Sequence, residues 1–356
     1  MLQLERIGYN PFFAAQFELL NQPDLCAVRV AADAHDRFPI VGAHAAFAEL
    51  SGRLRLAIEE GRALRPAVGD WLAVSESGDL ATIHYVLDRR TCLRRRAAGT
   101  HAGVQVIAAN VDVYFIVTAV GRDLNPRRLE RYLTAVWDSG ASPVLVLNKC
   151  DLADSVEPLI HTMGEVAPAV PMVCVSATTG NGVDTLQAHL EPGVTGAFIG
   201  SSGVGKSSLV NRLGGDRLQR TSPVGPEGKG RHTTSRRELV TLPQGGVLID
   251  TPGLREFGLA EVGPGLDVVF ADVLEFASLC HYADCTHTIE PGCAVTLAVA
   301  EGTLASARFH SYLCLRAEAE AAQKCRSPQQ LANSKKRWKV IHKSAKAFYK
   351  TSGKWK

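Results

Sequence analysis

The feature that most limits the possible folds is Gly200-Ser201-Ser202-Gly203-Val204-Gly205-Lys206-Ser207, which fits G-x-x-x-x-G-K-[ST]. It follows an apolar strand candidate, Gly196 to Ile199, and opens a helix candidate that runs from Ser207 and Ser208 to Leu213. In that setting glycines let backbone N–H groups converge on phosphates at a helix N-terminus, where the helix dipole adds to the attraction. Lys206 is then placed to neutralise the β and γ phosphates, and Ser207 to ligate magnesium.

The surrounding chain suits such a loop. Tyr114 to Val120, Pro143 to Leu147, Pro171 to Val175 and Gly246 to Ile249 are further apolar strand candidates. Helical stretches at Asn125 to Ser139 and Val183 to Leu190 lie between them. Buried strands alternating with helices predict a parallel α/β sheet over residues 106–260.

Two strand ends carry base-recognition residues. Asn148-Lys149-Cys150-Asp151 follows Val144 to Leu147, at the edge where an open α/β sheet receives its ligand. Asp151 can accept from guanine N1–H and the exocyclic amine together; adenine lacks that pair of donors, which predicts a guanine nucleotide. Asn148 can bond the base edge or tie down the phosphate loop, and the Lys149 stem can cover the ring. Ser176-Ala177, at the next strand end, offers a backbone N–H for guanine O6.

Asp250-Thr251-Pro252-Gly253 ends a third strand. Asp250 there can hold the magnesium shell and the Gly253 N–H can sense the γ-phosphate. Thr221 to Arg236, rich in Gly, Pro and charge, reads as a switch segment of the kind that γ-phosphate and magnesium order. Thr233 and Thr234 are its hydroxyls available to the metal, and Thr234 is taken as the ligand. Leu254 stands where many GTPases carry a water-orienting glutamine, so another group must position the water. His232 is the candidate, since imidazole can accept from water near neutral pH.

The flanking regions differ in kind. Residues 1–105 read as short strands, at Ala27 to Val30, Trp71 to Val74 and Ala81 to Val86, punctuated by turns at Gly69-Asp70 and Ser77-Gly78-Asp79. This suits a small barrel of the OB type after a short helix near Ala14 to Leu20. The region ends in the basic run Arg89, Arg90, Arg94, Arg95 and Arg96. Residues 261–325 turn helical around Cys280, Cys285, His287 and Cys293, a Cys₃His set that closes a tetrahedral zinc shell with no position left for substrate. A structural zinc is therefore expected. Nine cysteines, an odd number spread over 356 residues, argue against a disulfide framework.

Charge is distributed unevenly. The net +3 hides eleven cations after Glu320 with no acidic residue among them. Residues 1–320 hold the other 28 cations against all 36 acids, a balance of −8. The basic tail, residues 326–356, also carries Trp338, Phe348, Tyr349 and Trp355. Cations and aromatics together suit RNA, through counterion release and base stacking. There is no apolar run long enough for a membrane span and no apolar stretch at the start typical of a signal peptide. A cytoplasmic protein with no membrane partner is expected.

The order of the motifs is unusual, because Asn148–Asp151 and Ser176-Ala177 precede the phosphate loop and Asp250–Gly253 comes last. With that order, Gly230-Arg231-His232-Thr233-Thr234, Asp250 to Arg255 and the Cys₃His cluster, the chain resembles the ribosome small subunit-dependent GTPases, a circularly permuted family. The resemblance covers about residues 66 to 320 and includes Glu290-Pro291-Gly292 before Cys293. It implies an OB-like barrel, a permuted GTPase domain and a helical zinc-binding domain. It also implies GTP hydrolysis, stimulated by the small ribosomal subunit and coupled to its late assembly, with release as GDP forms. The partners expected are GTP and GDP, the small subunit and its rRNA, bound by a monomer. A GTPase of the large subunit or another RNA, or an RNA-binding scaffold without turnover, are the alternatives.

Overall fold

The computed structural model describes residues 2–96, 104–121, 123–215, 237–250, 263–288 and 290–324. Helices α1 (Leu2–Arg6) and α2 (Pro11–Leu19) come first. Asn10 caps α2, its side chain accepting from Phe12 N–H, and Pro11 takes the first helical position, where no donor is needed.

Strands β1 (Cys26–Val30), β2 (Arg37–Val41), β3 (Phe47–Leu50), β4 (Trp71–Ser77) and β5 (Leu80–Val86) close a barrel in the order β1-β2-β3-β5-β4. Helix α3 (Gly52–Glu59) connects β3 to β4. β3 and β5 run parallel and the other neighbours antiparallel, so this is the five-stranded OB-like barrel anticipated above. Val28, Val30, Phe38, Leu72, Val74 and Ile83 fill it.

A hairpin of β6 (Cys92–Arg96) and β7 (Val104–Ala109) leads to the central sheet. There, β8 (Val113–Ala119), β9 (Ser142–Asn148), β10 (Met172–Cys174), β11 (Thr195–Gly200), β12 (Glu238–Thr241) and β13 (Val247–Asp250) stand in the order β10-β9-β8-β11-β13-β12. All pairs are parallel except β12 with β13. Helices α4 (Pro126–Ser139) and α5 (Glu157–Val166) cover one face. Helices α6 (Val183–Gln187) and α7 (Lys206–Gly214) cover the other. With both faces covered, the strands must be apolar throughout, which is why they were legible.

The C-terminal unit comprises α8 (Gly265–Val269), α9 (Ala271–Ala277), α10 (Ala294–Glu301) and α11 (Ser306–Lys324). It packs on α4. Gly265 sits so close that a Cβ there would fall 2.3 Å from Thr134 O, and its N–H donates to Asp138 Oδ1 at 2.7 Å. The fully buried Glu130 carboxylate accepts from Arg127 at 2.5 Å and from Arg308 at 3.0 Å, and Ser311 Oγ also donates to it. One α4 carboxylate thus clamps the first turns of α11.

Two buried arginines join the barrel to the rest. Arg29 on β1 donates to Ile7 O, to Gly69 O (3.1 Å), to Asn110 O (3.0 Å) and to Thr195 Oγ1 at the start of β11 (2.9 Å). Burial pulls its guanidinium down to about 9. Arg89, the first residue of the basic run, is only 8% exposed and forms a two-pronged pair with Asp70, at 2.7 and 2.6 Å. Burial alone would lower the Arg89 pKa, but the Asp70 carboxylate holds it above its ordinary value. This arginine is a structural strut, and RNA cannot reach it. Asp70 also accepts from Ala67 N–H at 2.8 Å. Asp70→Ala should therefore cost about 3–5 kcal/mol, because it leaves a buried cation uncompensated; urea unfolding followed by circular dichroism checks this.

Candidate functional site: a nucleotide edge and a Cys₃His cluster

The C-terminal ends of β8, β9, β10, β11 and β13 share one edge of the sheet, and the predicted nucleotide residues gather there. Gly200 ends β11 with φ +146°, and a Cβ on it would lie 2.3 Å from Val117 O on the neighbouring strand. Gly205 precedes α7 with φ +97°, and a Cβ there would strike Asn148 Nδ2 at 2.3 Å. Glycine is required at both places by sterics as well as by backbone angle. Val204 and Lys206 point inward and are buried, while Ser202, Gly203, Ser207 and Ser208 are exposed on the open side.

Asn148 organises the edge. It is fully buried, donates from Nδ2 to Val204 O at 2.8 Å and accepts at Oδ1 from Ala177 N–H at 3.1 Å. Of the two roles open to it in the sequence, this is the one that ties down the phosphate loop, and it ties in the Ser176-Ala177 loop as well. Ser176 is buried, and its Oγ accepts from Thr179 N–H at 3.1 Å, closing that loop on itself. Lys149 adopts φ +63° and donates from Nζ to Gly203 O at 2.9 Å, so its stem crosses toward the phosphate loop. Cys150 and Asp151 begin a short 3₁₀ turn, Cys150–Leu152, with Asp151 exposed.

The charged pair of the site is Lys206 and Asp250. Lys206 is 6% exposed, and its ammonium donates to Gly200 O at 2.9 Å and Ser201 O at 2.6 Å. Burial lowers its pKa, opposed by the carboxylates of Asp250 and Asp123. Asp250 is 9% exposed, and its buried Oδ1 has no hydrogen-bond partner among the described residues. Burial raises its pKa, Lys206 lowers it and Glu238 adds to the rise. A buried carboxylate oxygen without a donor, beside a phosphate loop, fits the hydrated shell of a divalent cation.

The structure adds residues that motif reading did not reach. Asp123, just after β8, accepts from Thr118 Oγ1 at 3.1 Å and from Arg128 at 2.7 Å, and its charge acts on Lys206. Tyr132, buried on α4, hydrogen-bonds Ser201 in the phosphate loop. Their one sequence signal is position after a strand that ends on the same edge. His232, Thr233, Thr234 and Gly253 lie outside the described residues.

The second cluster lies between α9 and α10. The ligand atoms of Cys280, Cys285, His287 and Cys293 all fall within 4.8 Å of one another. Cys280 and Cys293 sulfurs are 3.9 Å apart, and each is 3.5 Å from His287 Nδ1. Tetrahedral bonds of ~2.3 Å to sulfur and ~2.0–2.1 Å to nitrogen require edges of about 3.8 and 3.5 Å, so the set is dimensioned for a tetrahedral metal ion. His287 reaches it from a left-handed backbone position, φ +62°. Burial works against the Cys293 thiolate, but bonds from the Thr296 backbone and side chain, His287 and Cys285 bring it down to about 6. Cys293 also caps α10, accepting from Thr296 N–H at 3.5 Å.

Fold and site together define a circularly permuted phosphate-loop GTPase with a barrel before it and, after it, a helical unit whose Cys₃His group could hold a metal ion. The RsgA GTPase family model matches residues 86–260. The chain is 40% identical to a small ribosomal subunit biogenesis GTPase RsgA of Syntrophotalea carbinolica, covering 99% of both chains. It is 44% identical to the protein of that name from Methanosarcina acetivorans, over 82% of this chain and 79% of the relative. It belongs to the RsgA GTPase family. Among solved structures it is similar to YjeQ from Thermotoga maritima, with TM-score 0.60, 26% identity and coverage of 83% of this chain and 98% of that one. The fold also matches YloQ, a circularly permuted GTPase, with TM-score 0.55 and 22% identity over 85% of this chain and 97% of that one.

Proposed function

We propose that the chain hydrolyses GTP on the small ribosomal subunit late in that particle's assembly and leaves it as GDP forms. The observation that carries the reading is Asn148, buried between the phosphate loop and Ser176-Ala177, which holds the guanine and phosphate halves of one site in fixed relation. The relatives named above supply the partner: their names place them in small-subunit biogenesis.

On this reading Gly200 to Ser208 cradle the phosphates and Asp151 reads the base. Magnesium is held by Ser207, Thr234 and the shell around Asp250, and His232 orients the attacking water. Zinc fills the Cys₃His cluster, since three thiolates with one imidazole favour it over harder cations. The protein acts as a cytoplasmic monomer; no helix among the described residues is long and apolar enough to cross a membrane. The cationic tail supplies salt-sensitive attraction to rRNA.

One assay tests this: GTP and ATP hydrolysis measured alone, with small subunits and with large subunits. GTP turnover should rise only with small subunits, and Asp151→Asn should cost about 10-fold or more in GDP affinity by removing the paired acceptor. Stimulation by large subunits would redirect the function, and absence of turnover with either would favour an RNA-binding scaffold.

A further inference from the structure

Two cysteines sit side by side within the base-binding edge, and nothing in nucleotide recognition uses their sulfurs. Cys150 is the third residue of Asn148–Asp151, and Cys174 ends β10 two residues before Ser176. Because β9 and β10 are parallel neighbours, Cys174 lies opposite Leu147. The Cys150 thiol donates to the carbonyl of that same Leu147 at 3.1 Å, and Cys150 N–H donates to Val175 O at 3.1 Å. Both side chains are half-buried against the same apolar layer, and Val175 N–H, next to Cys174, donates at 2.8 Å to the same Leu147 carbonyl that the Cys150 thiol reaches. Both cysteines are free.

We propose that Cys150 and Cys174 form a reversible dithiol–disulfide site whose closure lowers affinity for guanine nucleotide. The inference rests on the assignment of Asn148–Asp151 and Ser176-Ala177 to the base. A low-molecular-weight disulfide such as oxidised glutathione is the oxidant. One protein thiol gives up its proton and attacks a glutathione sulfur, breaking that S–S bond and releasing one glutathione thiolate. The second protein thiolate then attacks the mixed disulfide and releases the other. Two protein thiols lose two electrons, and the oxidant becomes two glutathione molecules that take up the two protons. Bond formation draws the two sulfurs to covalent distance, about 2.05 Å. Asp151 and Ser176 follow the two cysteines by one and two residues, so the groups that read the base move with them. Burial pushes the Cys150 thiol up to about 11 and raises that of Cys174. Exchange is therefore slow at neutral pH, and sustained oxidation rather than a brief pulse closes the site.

The test equilibrates the full-length, metal-loaded protein in glutathione buffers of increasing oxidised fraction. Non-reducing peptide mass mapping reads the Cys150–Cys174 link and follows the metal-cluster cysteines in the same digest. Titration with fluorescent GDP reads affinity. The expected result is that the link appears and GDP affinity falls about tenfold or more, with full recovery in dithiothreitol. Cys174→Ser should bind GDP as the reduced parent does and show no response to oxidation. Absence of the link at the oxidising end, unchanged affinity once it has formed, or equal loss of affinity in Cys174→Ser overturns the proposal. Reduced protein that fails to prefer GDP over ADP overturns the base-site assignment itself, and the lock with it.

Discussion

Lys206→Ala is expected to lower GTP turnover on the small subunit by about 10³-fold, the scale of removing a preorganised charge from a developing anion. The ammonium is buried and fixed by Gly200 O and Ser201 O, which holds it in place at the proposed phosphate site. Alanine removes that charge and also the cation that opposes the raised pKa of Asp250. A carboxyl raised in the folded state contributes stability below its unfolded pKa and loses it as pH rises through the folded value. Without Lys206 that value climbs further, so the variant should fall behind the parent in thermal stability as pH increases from about 4 toward neutrality. Single-turnover phosphate release measures the first effect and melting curves across pH the second. Parent-like turnover would place the charge-neutralising group elsewhere.

Removing the metal is expected to have the larger structural effect. Structural zinc contributes apparent binding energies of about 10–16 kcal/mol in finger peptides, and binding there is coupled to folding. Here the ligands join the end of α9, a loop and the cap of α10, where Cys293 both faces the cluster and accepts from Thr296 N–H. Chelation, or Cys280→Ser, should abolish hydrogen-exchange protection in α9 and α10 while leaving β8, β9 and β11 protected. The α4 face should also become exposed, because Glu130 meets Arg308 and Ser311 across that junction. Retained protection after metal loss would mean that Phe270, Val273 and Val295 hold the unit by apolar packing alone.

Legibility in the sequence followed how local each feature is. The phosphate loop is eight contiguous residues whose job needs only their own backbone and one helix end, so spacing alone reveals it. The Cys₃His set spans fourteen residues for the same reason. The central strands were readable because helices on both sides make every position apolar. The barrel was harder: β2 contains Pro39 and β3 has four residues, too few for alternation to show.

The sequence by itself determined the class of ligand, the permuted order of its motifs and a Cys₃His set that could hold a metal, since each depends on residues adjacent in the chain. Only the tertiary structure decided what the charged and sulfur-bearing side chains between those motifs do. Arg89 looks like its basic neighbours until Asp70 is found against it, nineteen residues away. Glu130 lies within the helical stretch Asn125 to Ser139, and only the fold brings Arg308 and Ser311, some 180 residues later, around its carboxylate. Cys150 and Cys174 become neighbours only because two parallel strands end in register. A charge or a thiol takes its role from what desolvates and faces it, and folding rather than spacing brings those partners together.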